Sequence, residues 1–142
     1  MGSKIGGVVV SHGQLANELL SAAEQVVGEL EHIRSVSIGW HDNVEAAKDE
    51  IERAIKDVSG DRGVLLLTDM FGGTPTNISA MFIAENQVEV VTGVNLPMVI
   101  KLASQNSGLG LEELAIELEN QGKKAIYRAS GLLEPSGSSK DG

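Results

Sequence analysis

The chain has no cysteine, which excludes a disulfide framework, a thiolate metal site and a cysteine nucleophile. Aromatic residues are scarce at 3%, so the core has to be assembled from Val, Ile, Leu and Ala. Basic residues are outnumbered, 11 Lys and Arg against 20 Asp and Glu, and the formal net charge of −9 argues against nucleic acid or an anionic membrane as the main partner. No apolar run approaches the roughly 20 residues of a membrane span, and the amino terminus lacks the apolar core of a signal peptide. These absences lead to the expectation of a cytoplasmic domain. A length of 142 residues suits a single domain with a real core.

What is present alternates between two periods. "IGGVVV" (Ile5 to Val10) is apolar at consecutive positions and β-branched, as a strand covered on both faces would be. Leu15, Leu19, Ala22 and Val26 recur at three and four and predict a helix. "IRSVSIG" alternates less cleanly, through Ile33, Val36 and Ile38, and reads as a second strand. "DNVEAAKDEIERAIKDV" carries Val44, Ala47, Ile51, Ala54 and Val58 on one face, with Asp42 and Glu45 spaced as a capping box. "GVLLLT" (Gly63 to Thr68) is a third strand, apolar throughout. "NISAMFIAEN" reads as a helix capped by Asn77, and "VEVVTG" as a fourth strand. Pro97 opens the helix "LPMVIKLASQN". "GLEELAIELEN" is a further helix that should stop near Gly122, and "KAIYRA" is a short final strand or an irregular end. Residues 1–130 are expected to form one domain, with 131–142 as a flexible tail.

Buried strands separated by amphipathic helices imply an α/β fold. The expectation is a doubly wound, mainly parallel four-stranded sheet with helices on both faces. Ligands of such sheets sit outside the carboxyl ends of the strands, at the topological switch point. The first strand ends in Ser11, His12 and Gly13; the third ends in Asp69, followed by Met70, Phe71, Gly72, Gly73, Thr74, Pro75 and Thr76. A carboxylate accepting the Nδ1 proton of His12 would fix its tautomer and leave Nε2 as a nucleophile. Gly72 and Gly73 let the backbone approach closely, and Thr74 and Asn77 add side-chain donors, so the loop suits a tetrahedral anion. A strand-end histidine is also a common loop residue, and an aspartate there a common helix cap. Topology puts both on one rim and leaves open whether they touch. Met70 and Phe71 are either a docking patch or a lid over the core. His32, His41 and Trp40 are read as two solvated histidines and a packing or contact residue.

Other chemistries fit less well. "GGTPTN" has no lysine, which disfavours a phosphate-binding nucleotide loop. The nucleophile elbow G-x-S-x-G is missing, which weakens Ser11 as the nucleophile of a hydrolase. Three histidines without spaced partners argue against a metal site. A histidine that itself carries a phosphoryl group needs neither metal nor cofactor in the same domain.

"VVVSHG", "LLLTDMFGGTPTN" and "VVTGVNLPMV", in this order between about Ile5 and Arg128, resemble the IIA domain of the mannose-type (mannose/fructose/sorbose) sugar phosphotransferase system. The element D-x-x-G-G-[ST]-P-x-N is specific; S-H-G alone is weak. The resemblance implies that His12 is phosphorylated at Nε2, that Asp69 holds Nδ1, and that Thr74 and Asn77 match the family's hydroxyl and asparagine. It implies a phosphotransferase that takes its phosphoryl group from the histidine-containing phosphocarrier protein and passes it to a histidine of a IIB component in sugar uptake. Contact with the membrane would then run only through permease components. It also implies a homodimer completed by an exchanged C-terminal strand, here "KAIYRA". A free-standing IIA protein of this kind could instead sense the state of the phosphocarrier as a regulatory module. The dihydroxyacetone-kinase phosphoryl donors share the S-H start but look less similar. Which sugar is served is not written in this chain.

Overall fold

The computed structural model describes residues 4–39, 43–70, 72–84, 87–105 and 108–133. Trp40, His41, Asp42, Phe71 and the tail from Glu134 to Gly142 lie outside them. The elements are β1 (Gly6–His12), α1 (Leu15–Val27), β2 (Ile33–Ile38), α2 (Val44–Val58), β3 (Val64–Thr68), α3 (Thr74–Ala80), β4 (Val88–Thr92), α4 (Leu96–Ala103), α5 (Leu111–Lys124) and α6 (Ala129–Leu132).

The four strands form one sheet in the order β2-β1-β3-β4, parallel throughout. Position in the sheet follows from composition. β1 and β3, apolar at nearly every position, are the central strands and are buried along almost their whole length. β2, where Arg34, Ser35 and Ser37 interrupt Ile33, Val36 and Ile38, is one edge, and β4, half-buried at every residue, is the other. In register, Val10 of β1 lies beside Val36 of β2 and Thr68 of β3.

The two faces carry separate cores. On one, Val9, Leu65 and Leu67 pack with Ala16 and Ala23 of α1, Val99 and Leu102 of α4, and Leu114 and Leu118 of α5. On the other, Val8, Val10, Val64 and Leu66 pack with Ala47, Ile51 and Ala54 of α2 and Ile78 of α3. A parallel sheet covered on both faces is the doubly wound arrangement. Gly6 permits the close contact with α2: a Cβ there would collide with the Val58 carbonyl oxygen.

Several local expectations are corrected. The buried stripe of α1 runs through Ala16 and Ala23, with Leu19 and Leu20 partly covered, while Leu15 and Val26 are exposed. The face is therefore turned by about one residue, ~100°, and small alanines meet the sheet where larger side chains were expected. α2 is capped by Asn43, whose Oδ1 accepts the Ala46 N–H at 2.7 Å, and not by Asp42, the cap expected from the sequence, which lies outside the described residues. α3 starts at Thr74 with Gly73 as its N-cap, so Asn77 is inside the helix and its N–H donates to the Gly73 carbonyl at 3.0 Å. α5 ends at Lys124, near Gly122 as expected, with Gly122 inside its last turn because Met98 occupies the space a side chain would take. The described residues of "KAIYRA" contain no strand in the single protomer, the irregular alternative. The start of the expected tail is helical, since 131 and 132 belong to α6.

Candidate functional site

β1 connects to β2 on one side, and β3 lies on its other side and continues outward to β4, so the switch point falls between β1 and β3. His12 is the last residue of β1, and Asp69 is the first residue after β3. The pairing left open by the sequence is made. Asp69 Oδ2 lies 2.8 Å from His12 Nδ1 and also accepts the His12 backbone N–H at 2.9 Å. The second bond has a structural cause. β1 outruns its β3 partner, and the carboxylate takes the place of the next rung in the ladder.

An ionised carboxylate only accepts, so the imidazole proton sits on Nδ1 and the Nε2 lone pair is free. The His12 side chain is 51% exposed and that of Asp69 10%. Burial raises the Asp69 pKa, but the His12 N–H and ring, together with its own backbone, outweigh that and hold it below the ordinary carboxylate value. Asp69 is thus an anion at neutral pH, aligned with a ring that is half exposed.

Gly73 borders the ring. A Cβ there would stand 3.1 Å from His12 Cε1 and 3.5 Å from Nε2. Gly72 takes a positive φ of 86° and turns the chain toward α3. Gly13, at φ 54°, turns β1 toward α1. Thr74 and Asn77, three residues apart and both exposed, lie on one side of the start of α3. Met70 is 56% exposed beside Asp69, which agrees with a surface residue rather than a core lid. Phe71 is outside the described residues.

Ser11 does not fit a nucleophile. It is fully buried, its Oγ accepts the Ala16 N–H at 2.7 Å and donates to the His12 carbonyl at 3.1 Å, and so it ties α1 to the end of β1. His32 is not a solvated histidine either. It is half-buried at the start of β2, and its Nε2 is buried without a hydrogen-bond partner. Burial and the nearby Lys4 ammonium lower its pKa against the opposing effects of the Leu102 backbone and Glu31. It lines, with Lys4 and Ser104, a cleft of about 440 Å³ at the amino ends of the strands, away from His12. Among the described residues no group of three His, Asp or Glu could hold a metal, and no helix is long and apolar enough to cross a membrane.

Two residues of the site escaped the sequence reading. Thr68 and Thr76 are both buried, with their hydroxyl oxygens 2.7 Å apart, and Thr76 donates to the Met70 carbonyl at 2.6 Å. The only signal was a polar residue ending an otherwise apolar strand.

The likeness to known proteins extends over most of the chain. A family model described as "PTS system fructose IIA component" matches residues 6–119. A PTS system fructose-specific EIIA component of Bacillus subtilis is 30% identical over 128 residues, covering 89% of this chain and 88% of that protein. A mannose/sorbose-specific IIA subunit from Enterococcus faecalis has a similar structure, with a TM-score of 0.78 at 32% identity over 89% of this chain and 95% of the other. A PTS IIA protein associated with the fucose utilization operon of Streptococcus pneumoniae gives a TM-score of 0.80 at 27% identity, covering 94% and 100%.

Proposed function

The chain belongs to the family of phosphotransferase-system IIA components, and from that premise we propose that it carries a phosphoryl group on His12 between two partner proteins during sugar uptake. The donor is the histidine-containing phosphocarrier protein, and the acceptor is a histidine of a IIB component. The observation that carries this reading is the Asp69–His12 contact, which leaves Nε2 of the neutral ring unprotonated on a half-exposed side chain.

In the accepting step, the Nε2 lone pair forms a bond to phosphorus while the phosphorus–nitrogen bond of the carrier's phosphohistidine breaks. The electron pair of that bond returns to the carrier's imidazole. His12 keeps its Nδ1 proton and its ring gains positive charge, which the Asp69 carboxylate offsets. In the donating step the IIB imidazole attacks in line, and the His12 ring returns to neutral. The chemistry needs positioning and fixed donors more than covalent help from the protein. Gly73 leaves room beside Nε2 for phosphoryl oxygens. Gly13, Gly72, Thr74 and Asn77 supply the rest of the bed, and Met70 and Phe71 belong to the docking surface. The protein works in the cytoplasm, as one domain over residues 1–130, and reaches the membrane only through its partners.

The working form is a homodimer. The outer side of β4 is a sheet edge, and Ile126 and Tyr127 are 79% and 64% exposed in the protomer. A partner's segment from Lys124 to Ala129, added at such an edge, would cover both features.

The test is incubation with phosphoenolpyruvate, enzyme I and the phosphocarrier, followed by intact-mass spectrometry. One phosphoryl group should be gained, lost in acid and kept in base, and none should be gained by His12→Ala. Equal uptake by that variant, or an acid-stable product, would sink the assignment.

A further inference from the structure

We propose that Thr76, backed by Thr68, is a positioning residue that holds the Asp69 carboxylate in register with His12. Asp69 lies between two residues that are themselves anchored. On its amino side, the Thr68 carbonyl accepts two N–H groups, from Gly93 and Val94, each at 2.9 Å. On its carboxyl side, the Met70 carbonyl accepts the Thr76 hydroxyl at 2.6 Å. A carbonyl only accepts, so the single Thr76 proton points at Met70. The Thr76 oxygen is then the acceptor in its 2.7 Å contact with Thr68, and the Thr68 hydroxyl is the donor. Proton direction is fixed along the whole relay, Thr68 to Thr76 to the Met70 carbonyl.

This relay joins the end of β3 to the first turn of α3 across the turn that presents Asp69. The Asp69 side chain has few rotatable bonds, so the peptides on either side decide where Oδ2 falls. That oxygen must meet two donors at once, the His12 N–H and Nδ1. Valine at 76 would keep the shape, but it would leave the Met70 carbonyl and the buried Thr68 hydroxyl without this partner. The turn would relax to find other partners, and the carboxylate would move with it. Serine would keep the hydroxyl.

The phosphotransfer part of the test rests on the function proposed above; the ring part does not. The variants are Thr76→Val, Thr76→Ser, Thr68→Val and the double valine variant, each first checked for folding by circular dichroism. Nitrogen-15 spectra of the His12 ring report which nitrogen bears the proton, with no partner protein present. Thr76→Val should turn the single Nδ1–H signature into a mixture and slow phosphoryl uptake by roughly 10- to 100-fold, the range for a small misplacement of a reacting group. Thr76→Ser should restore both. Thr68→Val, which leaves the Thr76–Met70 bond in place, should change the ring signature less, and the double variant should match Thr76→Val alone. A wild-type ring signature in Thr76→Val, or a Thr76→Ser protein as impaired as the valine one, overturns the proposal. If Thr76→Val does not fold, Thr68→Val decides: a ring signature identical to wild type overturns it. A changed ring signature in a protein whose wild type takes up no phosphoryl group would uphold the positioning role and defeat the proposed function.

Discussion

Asp69 makes two hydrogen bonds with one oxygen, and both go to the same residue. Replacement by asparagine keeps the shape and removes the charge, and the amide can turn its NH₂ toward Nδ1 and favour the wrong tautomer. Asp69→Asn is therefore expected to fold and bind the phosphocarrier while slowing both transfer steps on the order of a hundredfold or more, measured by quench-flow for each step. The lowered pKa of Asp69 also gives a sign to stability. Its contribution is fully present above the ordinary carboxylate value near 3.8 and is lost as pH falls through the lower folded value. Urea titrations of wild type and Asp69→Asn should converge as pH drops below that point. Gly73→Ala separates chemistry from stability. Its backbone, at φ −88° and ψ 174°, accepts alanine, so the protein should fold with only a small change in melting temperature, whereas the added methyl pushes on the His12 ring and uptake should fall about tenfold.

At the scale of elements, the strands were legible because burial writes itself into composition. The two strands with unbroken apolar runs, Val8 to Val10 and Val64 to Leu67, became the central ones, and the strand broken by Arg34, Ser35 and Ser37 became an edge. Helix faces and ends were less legible. The α1 stripe was misplaced because Leu15 and Val26 resemble core residues more than Ala16 does, and because the bond from Ala16 to Ser11, which sets how the helix leaves the strand, has no signature in hydrophobic spacing. The cap of α2 was missed by one position, a choice between neighbouring Asp42 and Asn43 that spacing does not resolve. Asn43→Ala should cost about 1 kcal/mol in urea denaturation. Ile51→Ala, which removes a fully buried side chain from the α2 face, should cost 2–5 kcal/mol, an order-of-magnitude range, with phosphoryl uptake per folded molecule unchanged.

For the whole molecule, the fold and the His12–Asp69 pair could be anticipated because topology assigns strand ends to one rim. The buried Thr68–Thr76 relay could not, since a threonine in a glycine-rich loop reads first as a phosphate contact. His32 was misjudged for a similar reason: its flanking Glu31 and Arg34 look solvated, while its ring is half-covered by residues distant in sequence, Lys4 and Ala103 among them. Its lowered pKa means that the unfolded chain binds this proton more readily. Global stability should therefore fall as pH drops below about 6.5, through the folded value, and His32→Gln should flatten that part of the profile. Assembly makes a separate prediction. Light scattering should show a dimer at micromolar concentration, and truncation after Ala125, which keeps α5 whole, should yield monomers or aggregates. A stable full-length monomer would remove the exchanged-strand proposal.

The place of the site at the switch point has a consequence for how the molecule comes into being. His12 and Asp69 are 57 residues apart, and β2 joins β1 before β3 can. A chain emerging from a ribosome can build β1, α1 and β2 early, since those contacts close short loops, but the pairing of β1 with β3 closes a long one. Until β3 arrives, His12 has no Asp69 beside it, its tautomer is unassigned, and the strand N–H that the carboxylate caps is open. Under the proposed function, chemical competence and completion of the sheet's centre are therefore a single event in biosynthesis, and a nascent chain that has not yet paired β3 would take no part in phosphoryl transfer.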